Sequence, residues 1–163
     1  MRYAAAVLAV VLSCAFATPS HAAKKFTWSV GPVWDELTLM GMLGEPEDEP
    51  DYLLRLVCTK DRTIEMGLGA DAEVGSGKGE KVVLIAKTGG ADFRIEGVSR
   101  NSKNFEMTGG TELVKPVTLD EPIIKALASP NASVAVSGGK RRFTLPGRGF
   151  AAKLAAFNKG CAK

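Results

Sequence analysis

The chain has 163 residues, 45% apolar and 24% charged, which fits one globular domain and excludes a disordered chain or a bundle of membrane helices. With 21 Lys and Arg against 18 Asp and Glu, the formal charge of +3 is too mild to mark a nucleic-acid binder. A single His and 3 Cys leave little material for histidine-based catalysis.

Residues 1–22 read as a secretory signal. Arg2 supplies the positive start, Tyr3 to Phe16 form an apolar run, and Thr18, Pro19 and Ser20 break it. Ser20 and Ala22 offer small residues at −3 and −1 for cleavage before Ala23. The run is too short for a comfortable membrane span, and no second apolar stretch follows. The remaining chain, 23–163, is expected to be a single β-rich domain, periplasmic or secreted, and not an integral membrane protein. A competing reading uses Val11-Leu12-Ser13-Cys14, which resembles a lipobox and would anchor a lipoprotein at Cys14.

Cleavage before Ala23 removes Arg2, His21 and Cys14, which lowers the formal charge to +2 and leaves no histidine. Two cysteines remain, Cys58 and Cys161. An even pair in an oxidising compartment is most simply a disulfide. Each also sits in an apolar setting, which keeps two buried free thiols open.

A strand is predicted around Phe26, Trp28 and Val30, interrupted by Pro32, with a second apolar run from Leu37 to Leu43. Gly44 to Asp51 is a charged loop with two prolines and no apolar residue. In the next strand Tyr52, Leu54, Leu56 and Cys58 fall on one face, with Leu53, Arg55 and Val57 on the other. Lys60-Asp61-Arg62 turns the chain into a strand carrying Ile64, Met66 and Leu68.

Gly69 to Gly79 reads as a polar, glycine-rich loop. Val82 to Ala86 is a continuous apolar strand, expected to be buried on both faces. Gly89-Gly90 turns into an alternating strand with Phe93, Ile95 and Gly97. Asn101 to Asn104 turns again before Phe105 and Met107, and Leu113 to Val117 follow Gly109-Gly110. Asp120-Glu121-Pro122 signals a helix start, with a cap, an acid and a proline near the first position. Ile123, Ile124 and Leu127 make that short helix, near 121–129, which Pro130 stops. Val134 and Val136 lie in a strand, and Gly138-Gly139 turns toward Phe143 and Leu145. Phe150, Leu154 and Phe157, with Ala151, Ala152, Ala155 and Ala156 between them, predict an amphipathic helix with a wide apolar stripe, ending at Gly160. Short strands and Gly-rich turns indicate a mainly β fold, an antiparallel sandwich or small barrel, with the last helix covering the apolar face of the sheet.

The early Trp, the strand ending Leu56-Val57-Cys58, the hairpin after it, and the ending Phe143-Thr144-Leu145-Pro146, Gly149-Phe150-Ala151-Ala152, Leu154, Phe157 and Cys161 resemble a family of small exported bacterial β-rich proteins. Its pattern is a Leu-x-Cys strand and a C-terminal Gly-Phe-x-x-Ala helix closing on Cys. The resemblance covers about a third of the chain. It implies the fold and the Cys58–Cys161 disulfide, and carries no catalytic residue over.

Without histidine, neither a His-dependent triad nor a His-ligated metal site can be assembled. Gly75-Ser76-Gly77-Lys78-Gly79 looks superficially like a phosphate loop. A Walker motif would need Gly where Ala72 stands and Ser or Thr where Gly79 stands, so a flexible hairpin tip is the better reading. Glu47, Asp48, Glu49 and Asp51 could attract a hard cation, yet they match no EF-hand spacing and read as a solvated loop. Trp28 and Trp34 suit core positions better than sugar stacking. Neither a metal nor a cofactor is expected.

Charge is segregated along the chain. From Phe26 to Asp51 there are acids and no Lys or Arg, and after Glu121 there is no acid. The two ends can pack and pair, or both can be solvated. Alternatively Lys140, Arg141, Arg142 and Arg148 form a ligand-binding surface for an anionic partner. The expected function is therefore a non-enzymatic binding module of the bacterial envelope, acting on an anionic component or an acidic protein cleft, such as that of a wall-degrading enzyme. An envelope scaffold or host-contact protein is the alternative, and a carboxylate- or Ser/Lys-based hydrolase ranks lower because no matched acid and base is visible. Oligomeric state is not legible.

Overall fold

The computed structural model describes residues 25–33, 35–44, 51–102 and 109–162, with Asp51 and Asp71 described by backbone alone. Residues 1–24 with Cys14 and His21, Trp34, the acidic residues Glu47, Asp48 and Glu49, and the segment with Phe105 and Met107 lie outside the described residues.

Nine antiparallel strands form one open sheet: β1 (Phe26–Val33), β2 (Glu36–Leu43), β3 (Asp51–Cys58), β4 (Ile64–Leu68), β5 (Lys78–Thr88), β6 (Ala91–Asn101), β7 (Thr111–Val117), β8 (Ser133–Ser137) and β9 (Phe143–Pro146). Their spatial order is β1-β2-β3-β4-β7-β6-β5-β8-β9. Helix α1 (Pro122–Leu127) joins β7 to β8, and α2 (Phe150–Cys161) ends the described chain. The fold is mainly antiparallel β with a C-terminal helix, as the strand spacing predicts.

The edge strands do not pair, yet the sheet curls until they meet. Trp28 of β1 donates its Nε1–H to the Pro146 carbonyl of β9 at 2.8 Å. Its ring packs edge-on against Phe26 and Phe150, with centroids 4.9 and 4.8 Å apart. One apolar core inside the curl draws on all nine strands and both helices, from Trp28 and Leu39 through Leu84, Ile95 and Leu145 to Phe157.

Local differences from the sequence pattern have physical causes. Pro32 does not interrupt β1, because an edge strand tolerates a residue without an N–H. Pro116 is tolerated for a related reason: β6 pairs with Thr111 to Val114 only and leaves β7 unpaired on that side at Pro116. Tyr52 does not share a face with Leu54. A bulge opposite Gly41 and Met42 inserts Leu53, so Leu53 and Leu54 both join the core while Tyr52 packs with Met42 and Ala70 on the other face. Residues 82–86 are not buried on both faces; Leu84 and Ala86 are buried, whereas Val83 and Ile85 are half-buried.

Glu121, not Asp120, occupies the N-cap of α1, with Pro122 at the first helical position. Its carboxylate accepts from Lys115 Nζ at 2.7 Å rather than capping the helix. Gly160 does not end α2, which continues to Cys161. A Cβ at Gly160 would press on Leu37 of β2, so glycine allows the helix to approach the sheet closely. The apolar stripe of α2 is narrow. Phe150, Phe157 and Cys161 are buried, Leu154 is half-buried, and Ala151, Ala152, Ala155 and Ala156 are exposed. A disulfide joins Cys58 to Cys161, with Cα atoms 5.6 Å apart, and ties the end of α2 to β3.

Candidate functional site

Strand alternation decides which side chains leave the core. On β5, Leu84 and Ala86 point inward, so Ile85 and Lys87 point outward. Lys87 pairs with Ala135 of β8, and Ala135 pairs with Thr144 of β9. Ile85 pairs with Ser137, and Phe143 turns inward with Val136. Arg142, immediately before Phe143, therefore belongs to the same outer surface as Ser137.

Lys87, Ala135, Ser137, Arg142 and Thr144 line a cleft of about 490 Å³. Val136 and Phe143 also line it, and among the small side chains between the two cations Ser137 and Thr144 carry hydroxyls. Lys87 stands on one wall and Arg142 on the other, two strand spacings across and two residues along the sheet, a backbone separation of roughly 12 Å. Both are exposed. Lys87 also holds Asp92 of β6 at 2.7 Å, on the side of β5 away from β8.

The four basic residues singled out from the sequence do not all meet here. Lys140 is exposed but ion-paired with Glu73. Hydrogen bonding to Lys140, and its charge together with that of Arg141, hold the Glu73 carboxyl below its ordinary value. Arg141 is exposed, and its backbone N–H reaches the Ala72 carbonyl at 3.3 Å. Arg142 lines the cleft. Arg148 lies beyond the other end of β9, about 13 Å of strand away. Lys87, Ser137 and Thr144, which the sequence pattern did not single out, complete the cleft instead. The long-range pairing of β8 with β5, beside its hairpin pairing with β9, brings them together, and no local signal encodes it.

The glycine-rich segment is not an open phosphate cradle. The Glu80 carboxylate accepts hydrogen bonds from the backbone N–H groups of Ser76 and Lys78. Gly77 N–H donates to Ser99 Oγ at 2.9 Å, and Ser99 Oγ donates to the Val74 carbonyl at 2.6 Å. The amides that would hold an external phosphate are occupied by the chain's own carboxylate. Nor is the preceding loop wholly polar, because Ala70, Ala72 and Val74 are buried.

A second, more open cleft lies where the β3–β4 turn approaches the end of β7, with Ile64, Val117 and Leu119 on its floor and Arg62 at its rim. Arg62 Nη1 donates to the Ala162 carbonyl at 3.4 Å, which links this rim to the end of α2. Among the described residues, no group of three His, Cys, Asp or Glu side chains converges to hold a metal ion. No helix of the described residues is long and apolar enough to cross a membrane. Trp28 is a core residue, 6% exposed. Comparison of the chain with protein-family models, curated proteins and solved structures finds no match.

Proposed function

We propose that the protein is an exported, non-enzymatic binding module of the bacterial cell envelope that engages an anionic component through the outer surface of β5, β8 and β9. The observation that carries this reading is the placement of Arg142 and Lys87 on opposite walls of one cleft, beside the exposed Lys140-Arg141 turn. Such an arrangement attracts anions over a distance and gives them a place to settle. The leader-like residues 1–22 and the disulfide support export, in keeping with the resemblance to small exported proteins. The non-enzymatic reading is supported by the carboxylates themselves. Glu73 and Glu80, both held below their ordinary values, are committed to structural partners, Lys140 and the Ser76 amide.

The test replaces Lys140, Arg141 and Arg142 together by Ser and measures retention on anionic vesicles and on cell-wall fragments at two salt concentrations. Retention should fall strongly for the variant, and for the unaltered protein it should weaken at high salt. The melting temperature should hardly move, because exposed charges contribute little to stability. Equal retention of both proteins would refute the reading.

A further inference from the structure

We infer that the cleft between Lys87 and Arg142 holds a phosphate monoester displayed on an envelope lipid. This rests on the anion-binding reading above and gives it a ligand class.

Charge favours that group. A phosphate monoester carries about −1.5 to −2 at pH 7, a level set by its second ionisation. A carboxylate or a phosphodiester carries a single negative charge. A guanidinium and an ammonium on opposite walls complement the doubly charged group best. Donor placement points the same way. Arg142 presents a planar fork of N–H donors and Lys87 a mobile ammonium. Between them, the hydroxyls of Ser137 and Thr144 rise from the floor. Ser137 Oγ is held only loosely, by the Ile85 carbonyl at 3.5 Å, and is free to turn toward a ligand. Four donors, from β5, β8, β9 and the residue before β9, line the cleft; the three terminal oxygens of a monoester can meet them from different directions, whereas a carboxylate offers its acceptor sites in one plane.

Size and position select the source. Ala135 keeps the floor low, and a cleft of about 490 Å³ takes a head group rather than a folded partner. It opens on the outer surface at the sheet edge, next along the chain to the exposed Lys140 and Arg141, whose charge would add to attraction by an anionic bilayer. Asp92 competes for Lys87 in the free protein, but both side chains of that pair are more than half exposed, so the pair is weak.

The test measures retention of the exported protein on vesicles containing phosphatidic acid, a monoester, and on vesicles containing phosphatidylglycerol, a diester, at matched surface charge. Retention should be about tenfold stronger on phosphatidic acid, the scale of one added charge-assisted hydrogen bond. Arg142→Ser and Thr144→Val should each reduce that preference. Asp92→Asn, which releases Lys87, should increase it, an effect that a loss of folding cannot mimic. Equal retention on the two vesicles, still dependent on Arg142, would overturn the monoester inference and leave the anionic surface standing. Displacement by inorganic phosphate at its own dissociation constant, with no stronger binding to the lipid, would overturn the lipid source. No retention on either vesicle or on wall fragments would remove both readings.

Discussion

Arg55 and Glu112, 57 residues apart in sequence, are joined in a buried ion pair on the face of the sheet opposite the core. Arg55 Nη2 donates to Glu112 Oε1 at 2.9 Å, and Nε lies 3.2 Å from both carboxylate oxygens. The pair lies flat over Gly67, which is Arg55's neighbour across β4. A Cβ there would run into Glu112 Oε2 and Arg55 Nε. The side chain of Glu112 is fully buried and that of Arg55 is 5% exposed. Burial alone would lower the Arg55 pKa, but the charge of and hydrogen bonds to Glu112, with Tyr52 and Glu65 adding to them, more than offset this and raise it above its ordinary value. Glu65 extends the pair, accepting from Arg55 Nη2 at 3.3 Å and lying 3.7 Å from Arg100.

Removing one partner should therefore cost much more than removing both. Glu112→Ala leaves the buried guanidinium with only the longer contact to the partly exposed Glu65, and about 3 to 5 kcal/mol of stability should be lost. The double change Arg55→Met, Glu112→Leu should recover most of that loss. Arg55 Nη1 is buried without a hydrogen-bond partner, so the native pair is itself incompletely satisfied. Urea denaturation of the three proteins measures both effects. A single-variant loss below about 1 kcal/mol, the level of a surface pair, would show that water reaches the guanidinium.

The disulfide acts at the other side of the sheet. It closes a span of 103 residues between β3 and the end of α2. The chain-entropy estimate for such a loop is about 4 to 5 kcal/mol, a large share of a typical domain stability of about 5 to 15 kcal/mol. Cys161→Ser should lower the melting temperature markedly and make α2 the first segment cut by protease. The cut should fall on the exposed side, near Lys153 or Lys159. An unchanged melting point would mean that Phe150 and Phe157 hold the helix by packing alone.

Local pattern was enough for the strands and the last helix, and for the disulfide once export was read from residues 1–22. Alternation at Leu54, Leu56 and Cys58, and the spacing of Phe150 and Phe157, are direct consequences of backbone period. Long-range register was not legible. Nothing near Arg55 announces Glu112, because the contact needs β3, β4 and β7 to lie side by side. The same holds for the cleft: Arg142 stood out in a basic run, whereas Lys87 joins it only because β8 pairs with β5. The bulge that turns Tyr52 away from Leu54 was invisible for a related reason, since one inserted residue leaves the composition unchanged. Gly160 read as a helix stop when its role is clearance for Leu37.

Glu80 gives a prediction in pH. Its carboxylate accepts from the Ser76 amide first, then from its own amide, the Ser76 hydroxyl and the Lys78 amide, and these bonds hold its pKa at about 2 against an ordinary 4.5. The folded state therefore releases this proton more readily than the unfolded chain does. The contact's contribution to stability is complete above about pH 4.5 and is lost as the pH falls toward 2. Amide proton shifts of Ser76 and Lys78, followed by NMR, should titrate together in that acid window. In Glu80→Gln they should stay flat, and the order of the Gly75–Gly79 turn should no longer depend on pH there. Titration of both amides near the ordinary carboxylate value in the unaltered protein would show that the turn is not held by Glu80. The amides of Ser76 and Lys78 would then be open to an external anion, which the closed geometry of the turn excludes.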